Sequence, residues 1–280
     1  MKPAGFDMAR PASLREALTI LAQHADEAKV IAGGQTLVPV MNFRMATPRL
    51  LIDLNKVAEL AGIRRDGNVL RIGAMTRQCE LLRNPLIGEH APLLSKTVPN
   101  IGHVQTRSRG TVGGSLAHAD PAAELPLVMV TLDATLTIRS HEKERTVSAR
   151  GFFRDVMATD LANNELLTEI AIPIAPRDAR CGFRELARRH GDFAIVSVAV
   201  QRCAGELSVA IGGLEAVPRY CRKLVEGIMR PGFDRGQLPD LIRLELNETV
   251  ALGDLHASAG FRRHLAGVLL QDCLDEVLGS

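Results

Sequence analysis

Val30-Ile31-Ala32-Gly33-Gly34-Gln35-Thr36-Leu37 and Thr111-Val112-Gly113-Gly114-Ser115-Leu116-Ala117-His118-Ala119-Asp120-Pro121 are the stretches on which the reading of this chain turns. Each sets a pair of adjacent glycines beside a hydroxyl residue, where a strand or turn gives way to a helix. Glycine lets a backbone come close to an anion, and a helix N-terminus presents unpaired N–H donors. Taken singly, either pair reads as a tight turn, since glycine is the default turn residue. Taken together, they favour one long, phosphate-bearing ligand held from two sides. Neither stretch carries the G-x-G-x-x-G of a Rossmann fold or the G-x-x-x-x-G-K-[ST] of a P-loop. No lysine directly follows a glycine anywhere in the chain. The phosphate chemistry then rests on backbone amides and on the hydroxyls of Thr36, Thr111 and Ser115.

Outward from these stretches the pattern alternates between helix and strand. Ser13-Leu14-Arg15-Glu16 reads as a capping box, and Leu14, Ala17, Leu18 and Leu21 mark one helical face. Val30-Ile31, Leu50 to Leu54 and Val69 to Ile72 read as strands. Thr36 and Thr76 are expected to cap helices, and Pro92 to Ile101 reads as helical. His103 to Gly110 reads as a polar link. Asp120-Pro121 reads as the start of a buried helix running to about Leu132. A hairpin turns at His141 to Glu144, and Ile170, Ile172 and Ile174 alternate in a strand. Two further strands, Phe193 to Val200 and Leu207 to Ile211, flank Gly205. A final helix is expected to align Leu265, Val268, Leu269 and Val277. Ala175 to Asp178 is the best candidate boundary between a mixed α/β part and a smaller α+β unit.

Composition bounds the function. The 280 residues carry a net charge of +2, and aromatic residues make up 3% with no Trp. Those values argue against a nucleic-acid surface. Five scattered cysteines contain no C-x-x-C pair, so neither a disulfide framework nor a metal cluster built from this chain is expected. No apolar run has membrane-spanning length, and the first residues lack a signal-type apolar core. A reducing, cytoplasmic setting fits best.

Three further groups carry candidate chemistry. Asp120 and Glu124 stand four apart at the expected helix start, where they serve either as cap and dipole partner or as acceptors for ribityl or ribose hydroxyls. Gly113-Gly114-Ser115-Leu116-Ala117 lacks the last glycine of a nucleophile elbow. Arg188-Arg189-His190-Gly191-Asp192-Phe193 is a basic turn that is either simply solvated or faces an anionic cofactor.

Ala32 to Pro39 and Thr111 to Pro126 together resemble the medium, flavin-binding subunit of the molybdenum hydroxylases, which include carbon monoxide dehydrogenase and xanthine dehydrogenase. Gly191 to Ala194 and Arg262 to Leu265 extend the resemblance over nearly the whole chain. It implies an α+β fold: a two-part FAD-binding domain of the vanillyl-alcohol-oxidase type over residues 1–176, divided near 58, and a smaller α+β C-terminal domain over 177–280. It implies FAD as cofactor, clasped at its pyrophosphate by Val30, Ile31, Ala32, Gly33, Gly34, Gln35, Thr36 and Leu37 and by Thr111, Val112, Gly113, Gly114 and Ser115. By position, Gly102, Glu124, Leu161, Ile170 and His190 would also touch FAD. His190 stands where relatives often have Lys, and Phe193 where they often have Tyr near the isoalloxazine. The implied partners are an iron–sulfur small subunit and a molybdenum-cofactor large subunit, in a dimer of heterotrimers, with NAD as a possible acceptor. No side chain of this chain is then catalytic, and none ligates a metal. Two other readings compete: a self-sufficient flavin oxidase or dehydrogenase using His118 or Glu124 as base, and a binding module for some other phosphorylated ligand.

Overall fold

The computed structural model describes residues 1–279. The first lobe runs through strand β1 (Asp7–Ala9), helix α1 (Leu14–His24), strand β2 (Ala28–Ile31), helix α2 (Leu37–Asn42) and strand β3 (Leu50–Asp53). Its three strands are parallel, in the order β1-β3-β2. Ile31 lies opposite Asp53, so β2 and β3 end at the same edge of the sheet. Chain leaving the carboxyl ends of parallel strands is where open α/β sheets place ligands. Here it is the first glycine turn. The α1 face is as expected, with Leu14, Ala17, Leu18 and Leu21 buried. Ser13 accepts from the Glu16 amide at 3.2 Å, but Glu16 reaches back to the Ala12 amide, one residue beyond the expected box. Thr36 precedes α2 without capping it; its backbone is already helical, which turns it away from cap geometry.

The second lobe contains β4 (Ile63–Asp66), β5 (Val69–Gly73), α3 (Gln78–Arg83), α4 (Pro85–His90), α5 (Pro92–Thr97), α6 (Val104–Arg109), α7 (Val112–His118) and α8 (Glu124–Thr131). It continues with β6 (Thr135–Arg139), β7 (Glu144–Ser148), α9 (Ala149–Phe152), β8 (Phe153–Asp155), β9 (Ala158–Thr159) and β10 (Leu166–Pro173). Five strands form an antiparallel sheet in the order β4-β5-β10-β6-β7. Three expectations need correction. Thr76 is fully buried and caps nothing; its hydroxyl bridges the amide and carbonyl of Gly62, each at 3.0 Å. The expected polar link at 103–110 is the surface helix α6, whose polarity hides any apolar period. Asp120-Pro121 does not start α8. Ala119 ends α7 in the left-handed region, Asp120 accepts from the Ala122 amide at 2.9 Å, and the helix begins only at Glu124. That side-chain bond folds Asp120 into a turn instead of a cap.

The last part holds β11 (Arg180–Ala187), β12 (Ala194–Cys203), β13 (Glu206–Gly212), β14 (Arg219–Tyr220), α10 (Arg222–Met229), α11 (Leu238–Asn247) and α12 (Ala259–Leu278), with the sheet ordered β11-β12-β13-β14. Strand β11 was not expected. Alternate residues of this sheet bury in opposite directions. Phe183, Ala199 and Ala210 join the core of the second lobe, while Val198, Val200, Val209 and Ile211 pack with residues of α10, α11 and α12. Burial on both faces is why β12 is a nearly continuous apolar run. On α12 the buried stripe is Arg262, Ala266, Leu269, Leu270, Cys273, Leu274 and Val277. Val268 is 44% exposed and falls off the face assigned to it from sequence. Among the described residues no helix is long and apolar enough to cross a membrane.

Candidate functional site

The two glycine segments, about eighty residues apart in sequence, are in contact. A Cβ built on Gly114 would lie 3.6 Å from the Ala32 Cβ. Gly33 packs on the backbone of Arg109 and Gly110, leaving 2.9 Å between a built Cβ and the Gly110 Cα. The positive φ of Gly34, +72°, favours glycine.

The segments differ in what they offer. Among the described residues the amides of Gly33, Gly34, Gln35, Thr36 and Leu37 donate to no carbonyl, and the ladder resumes only at Val38, which bonds Gly34. Five successive free donors beside a helix start suit an anion. The second segment is already satisfied. Val112 donates to Thr76, Gly113 to Ala74, Gly114 to the Thr111 hydroxyl and Ser115 to the Thr111 carbonyl. Gly113 is glycine for close packing, since a built Cβ would stand 2.8 Å from the Ala74 carbonyl oxygen. Thr111 is buried as the cap of α7, whereas Ser115 is half-buried.

A polar chain ties the segments together. The Ala32 carbonyl accepts from Asn55 Nδ2 at 3.0 Å, and Asn55 Oδ1 accepts from Arg77 Nη2 at 2.5 Å. Arg77 Nη1 donates to the Arg109 carbonyl, on which Gly33 packs. The sequence reading passed over both Asn55 and Arg77, which stand in no motif and come together only through folding.

The remaining sequence-derived candidates are spread over the lobes. Gly102 (φ +46°) and His103 lie at the start of α6, whose other end meets Gly33. A Cβ on Gly191 would stand 2.5 Å from His103 Nδ1, so the basic turn with exposed His190 adjoins Gly102. The helix between spans roughly 9 Å, which makes the assembled surface elongated. A cleft of about 590 Å³ opens beside it, lined by Asp120, Ala122, Met157, Phe193 and the buried Arg262. Phe193 is 62% exposed there. Leu161 is half-buried against the second-lobe core. Ile170 is fully buried in the central strand, paired to Ile72 on one side and Leu136 on the other. Val30 and Ile31 are half-buried in the first lobe.

Glu124 is 4% exposed at the first turn of α8. Burial, then the nearby Glu185 and Asp120 carboxylates, push it up to about 8. Burial also lifts Glu185 to about 7, and its Oε2 has no hydrogen-bond partner. Glu185, Ser197 and Gly212 form one cross-strand row, and the Ser197 hydroxyl is unpartnered as well. Glu124 is thus withdrawn from solvent and held neutral near pH 7. Among the described residues no three His, Cys, Asp or Glu side chains are grouped as metal ligands.

Residues 4–175 match the FAD binding domain in molybdopterin dehydrogenase, and residues 182–277 match the CO dehydrogenase flavoprotein C-terminal domain. The alpha subunit of the 6-hydroxypseudooxynicotine dehydrogenase complex of Paenarthrobacter nicotinovorans is 45% identical over 195 residues, which span 70% of this chain and 66% of that one. The carbon monoxide dehydrogenase medium chain of Afipia carboxidovorans is 32% identical over 98% of this chain and 97% of its own length. Among solved structures, carbon monoxide dehydrogenase from Hydrogenophaga pseudoflava lacking the Mo-pyranopterin moiety superposes with a TM-score of 0.95 at 30% identity, covering 99% of both chains. The chain belongs to the FAD-binding medium subunits of the molybdenum hydroxylase family, flavoprotein oxidoreductase subunits of the carbon monoxide dehydrogenase and xanthine dehydrogenase type.

Proposed function

We propose that this chain is the electron-transfer subunit of a cytoplasmic molybdenum hydroxylase complex, with FAD lying along the two glycine segments. The observation that carries this placement is the run of free amides from Gly33 to Leu37 packed against the second segment. In this reading the amides and the Ser115 hydroxyl bind the pyrophosphate, and the bonded turns around Gly113 and Gly114 supply a rigid wall. The surface from Gly102 to His190 and Phe193 receives the flavin end, where the Phe193 ring offers stacking without a phenol hydrogen bond. Residues 1–176 act as the FAD-binding domain, divided near 58, and 177–280 as the C-terminal domain.

Bound FAD supplies a centre that takes up electrons singly and releases them in pairs, which suits transfer from one-electron clusters to a two-electron acceptor such as NAD. The protein contributes binding, orientation and electrostatics. An iron–sulfur small subunit delivers the electrons and a molybdenum-cofactor large subunit oxidises the substrate, the three chains pairing as a dimer of heterotrimers. The withdrawn position of Glu124 argues against its use as base in a self-sufficient oxidase. Purification of the native protein with its companions tests the proposal. Flavin absorbance should co-elute with iron and molybdenum, whereas a lone yellow chain that turns over a small substrate would overturn it.

A further inference from the structure

We propose that Arg77, held by Asn55, is the positioning residue of the cofactor site: it fixes the spacing of the two glycine segments and supplies the positive charge that faces the FAD pyrophosphate. This rests on the placement of FAD proposed above. Two side chains make the strut, running from the Ala32 carbonyl through Asn55 and Arg77 to the Arg109 carbonyl. Donor types leave one arrangement. A guanidinium only donates, so Asn55 Oδ1 must face it, and Nδ2 is then free for Ala32 and for Asp53 Oδ1 at 2.5 Å. Asp53 in turn accepts from the Asn55 amide at 3.0 Å, which fixes the side chain at the edge where β2 and β3 end.

The charge is what a simple strut does not need. Both acceptors of the Arg77 guanidinium are neutral, and among the described residues it forms no ion pair with a carboxylate. Glu80 binds the Arg77 backbone amide at 3.2 Å instead. Burial, then the neighbouring Arg109 guanidinium, lower the Arg77 pKa. Glu80 and Asp53 offset this only in part, and a half-buried cation beside a second cation, with no carboxylate bonded to its guanidinium, is incompletely compensated in the folded chain alone. A dianionic group at the adjacent free amides removes that penalty. A guanidinium suits phosphate oxygens better than an ammonium does, because it presents a planar fork of donors.

The test uses the flavin-loaded full-length protein and follows FAD release by fluorescence at low and high ionic strength. Loss of one charge-assisted contact corresponds to about tenfold or more in affinity. Arg77→Gln should therefore release FAD at least about tenfold faster, with a weaker salt dependence than wild type. Arg77→Lys should restore the salt dependence but only part of the retention. Asn55→Ala should speed release while leaving the salt dependence in place, because the charge remains. Gly33→Val is the control for the site itself. Rapid release from Gly33→Val with wild-type release and salt response in Arg77→Gln and Asn55→Ala would overturn the inference and leave the site standing. Unchanged release in all of them would overturn both. Should Arg77→Gln fail to fold, Arg77→Lys and Asn55→Ala decide the question by the same readout.

Discussion

Gly33 lies on the backbone of Arg109 so closely that a Cβ built on it would stand 2.9 Å from the carbonyl carbon of Arg109. The missing side chain of Gly33 therefore points at the end of α6, Arg109 and Gly110, which leads directly into the second glycine segment. Gly33→Val should act by prying the segments apart. Overpacking against backbone, which cannot move aside as a side-chain end can, costs about 1–3 kcal/mol. A lower melting temperature and FAD binding weakened by more than about tenfold are expected together. Scanning calorimetry and a flavin titration on one preparation check this, and a valine variant with normal flavin affinity would remove the contact from the site.

Arg262 supports the cleft from below. It is 6% exposed and donates to the Ile195 and Gly213 carbonyls and, at 2.6 Å, to Asp254. Gly213 also donates its amide to the Pro121 carbonyl at 2.8 Å, so this arginine braces the turn that joins the C-terminal domain to the second lobe. Arg262→Met keeps much of the volume and leaves two buried carbonyls with fewer donors. Unsatisfied buried groups cost about 1–3 kcal/mol each. The melting temperature should fall by several degrees, roughly in line with that loss. A shift of under one degree would show that the carbonyls find other donors.

What the sequence made legible is the set of elements with strong local signals. Leu14 to Leu21 carry a clean helical period, β12 is a long apolar run, and Gly33-Gly34 sits at a strand end. The errors lie where a short-range signal had a longer-range competitor. Asp120-Pro121 has the residues of a helix start, yet Asp120 is bound in a turn and Pro121 is tied to Gly213. Thr76 has the residue type of a cap, yet Gly62 takes its hydroxyl across the lobe. Strand β11 was missed because its edge position leaves one face partly exposed and blurs the alternation. Within the site, the glycines could be found from spacing, but Asn55, Arg77 and Glu185 could not. Their significance depends on which backbone groups and carboxylates folding sets beside them.

Not every glycine is required. Gly88 lies within α4, and a Cβ built there meets nothing within 4 Å. Gly88→Ala should stabilise the chain by about 0.4–1 kcal/mol, chiefly by restricting the unfolded state. Flavin affinity should stay at the wild-type value. Urea denaturation provides the measurement, and destabilisation by alanine would reveal a constraint on Gly88 that the open space around it does not explain.

The buried carboxyl of Glu124 gives stability an unusual pH dependence. Its folded pKa is about 8 against an ordinary value of 4.5, so the folded chain keeps a proton that the unfolded chain has released. Between those values the native state binds more protons, and stability must fall as pH rises. The contribution is fully present below about pH 4.5, is lost across the window, and stops changing above about 8. One such group sets a slope of at most about 1.4 kcal/mol per pH unit. Glu185, pushed up to about 7, adds to the same trend over a narrower window. Paired carboxylates such as Asp160, whose pKa is lowered first by its Arg154 and Arg145 hydrogen bonds, work in the opposite sense and only in acid. Glu124→Gln is neutral at every pH and should flatten the decline between pH 5 and 7.5. Urea melts at half-unit intervals compare the two proteins. Parallel profiles for wild type and Glu124→Gln would show that this carboxyl ionises in the folded chain as it does in the unfolded one.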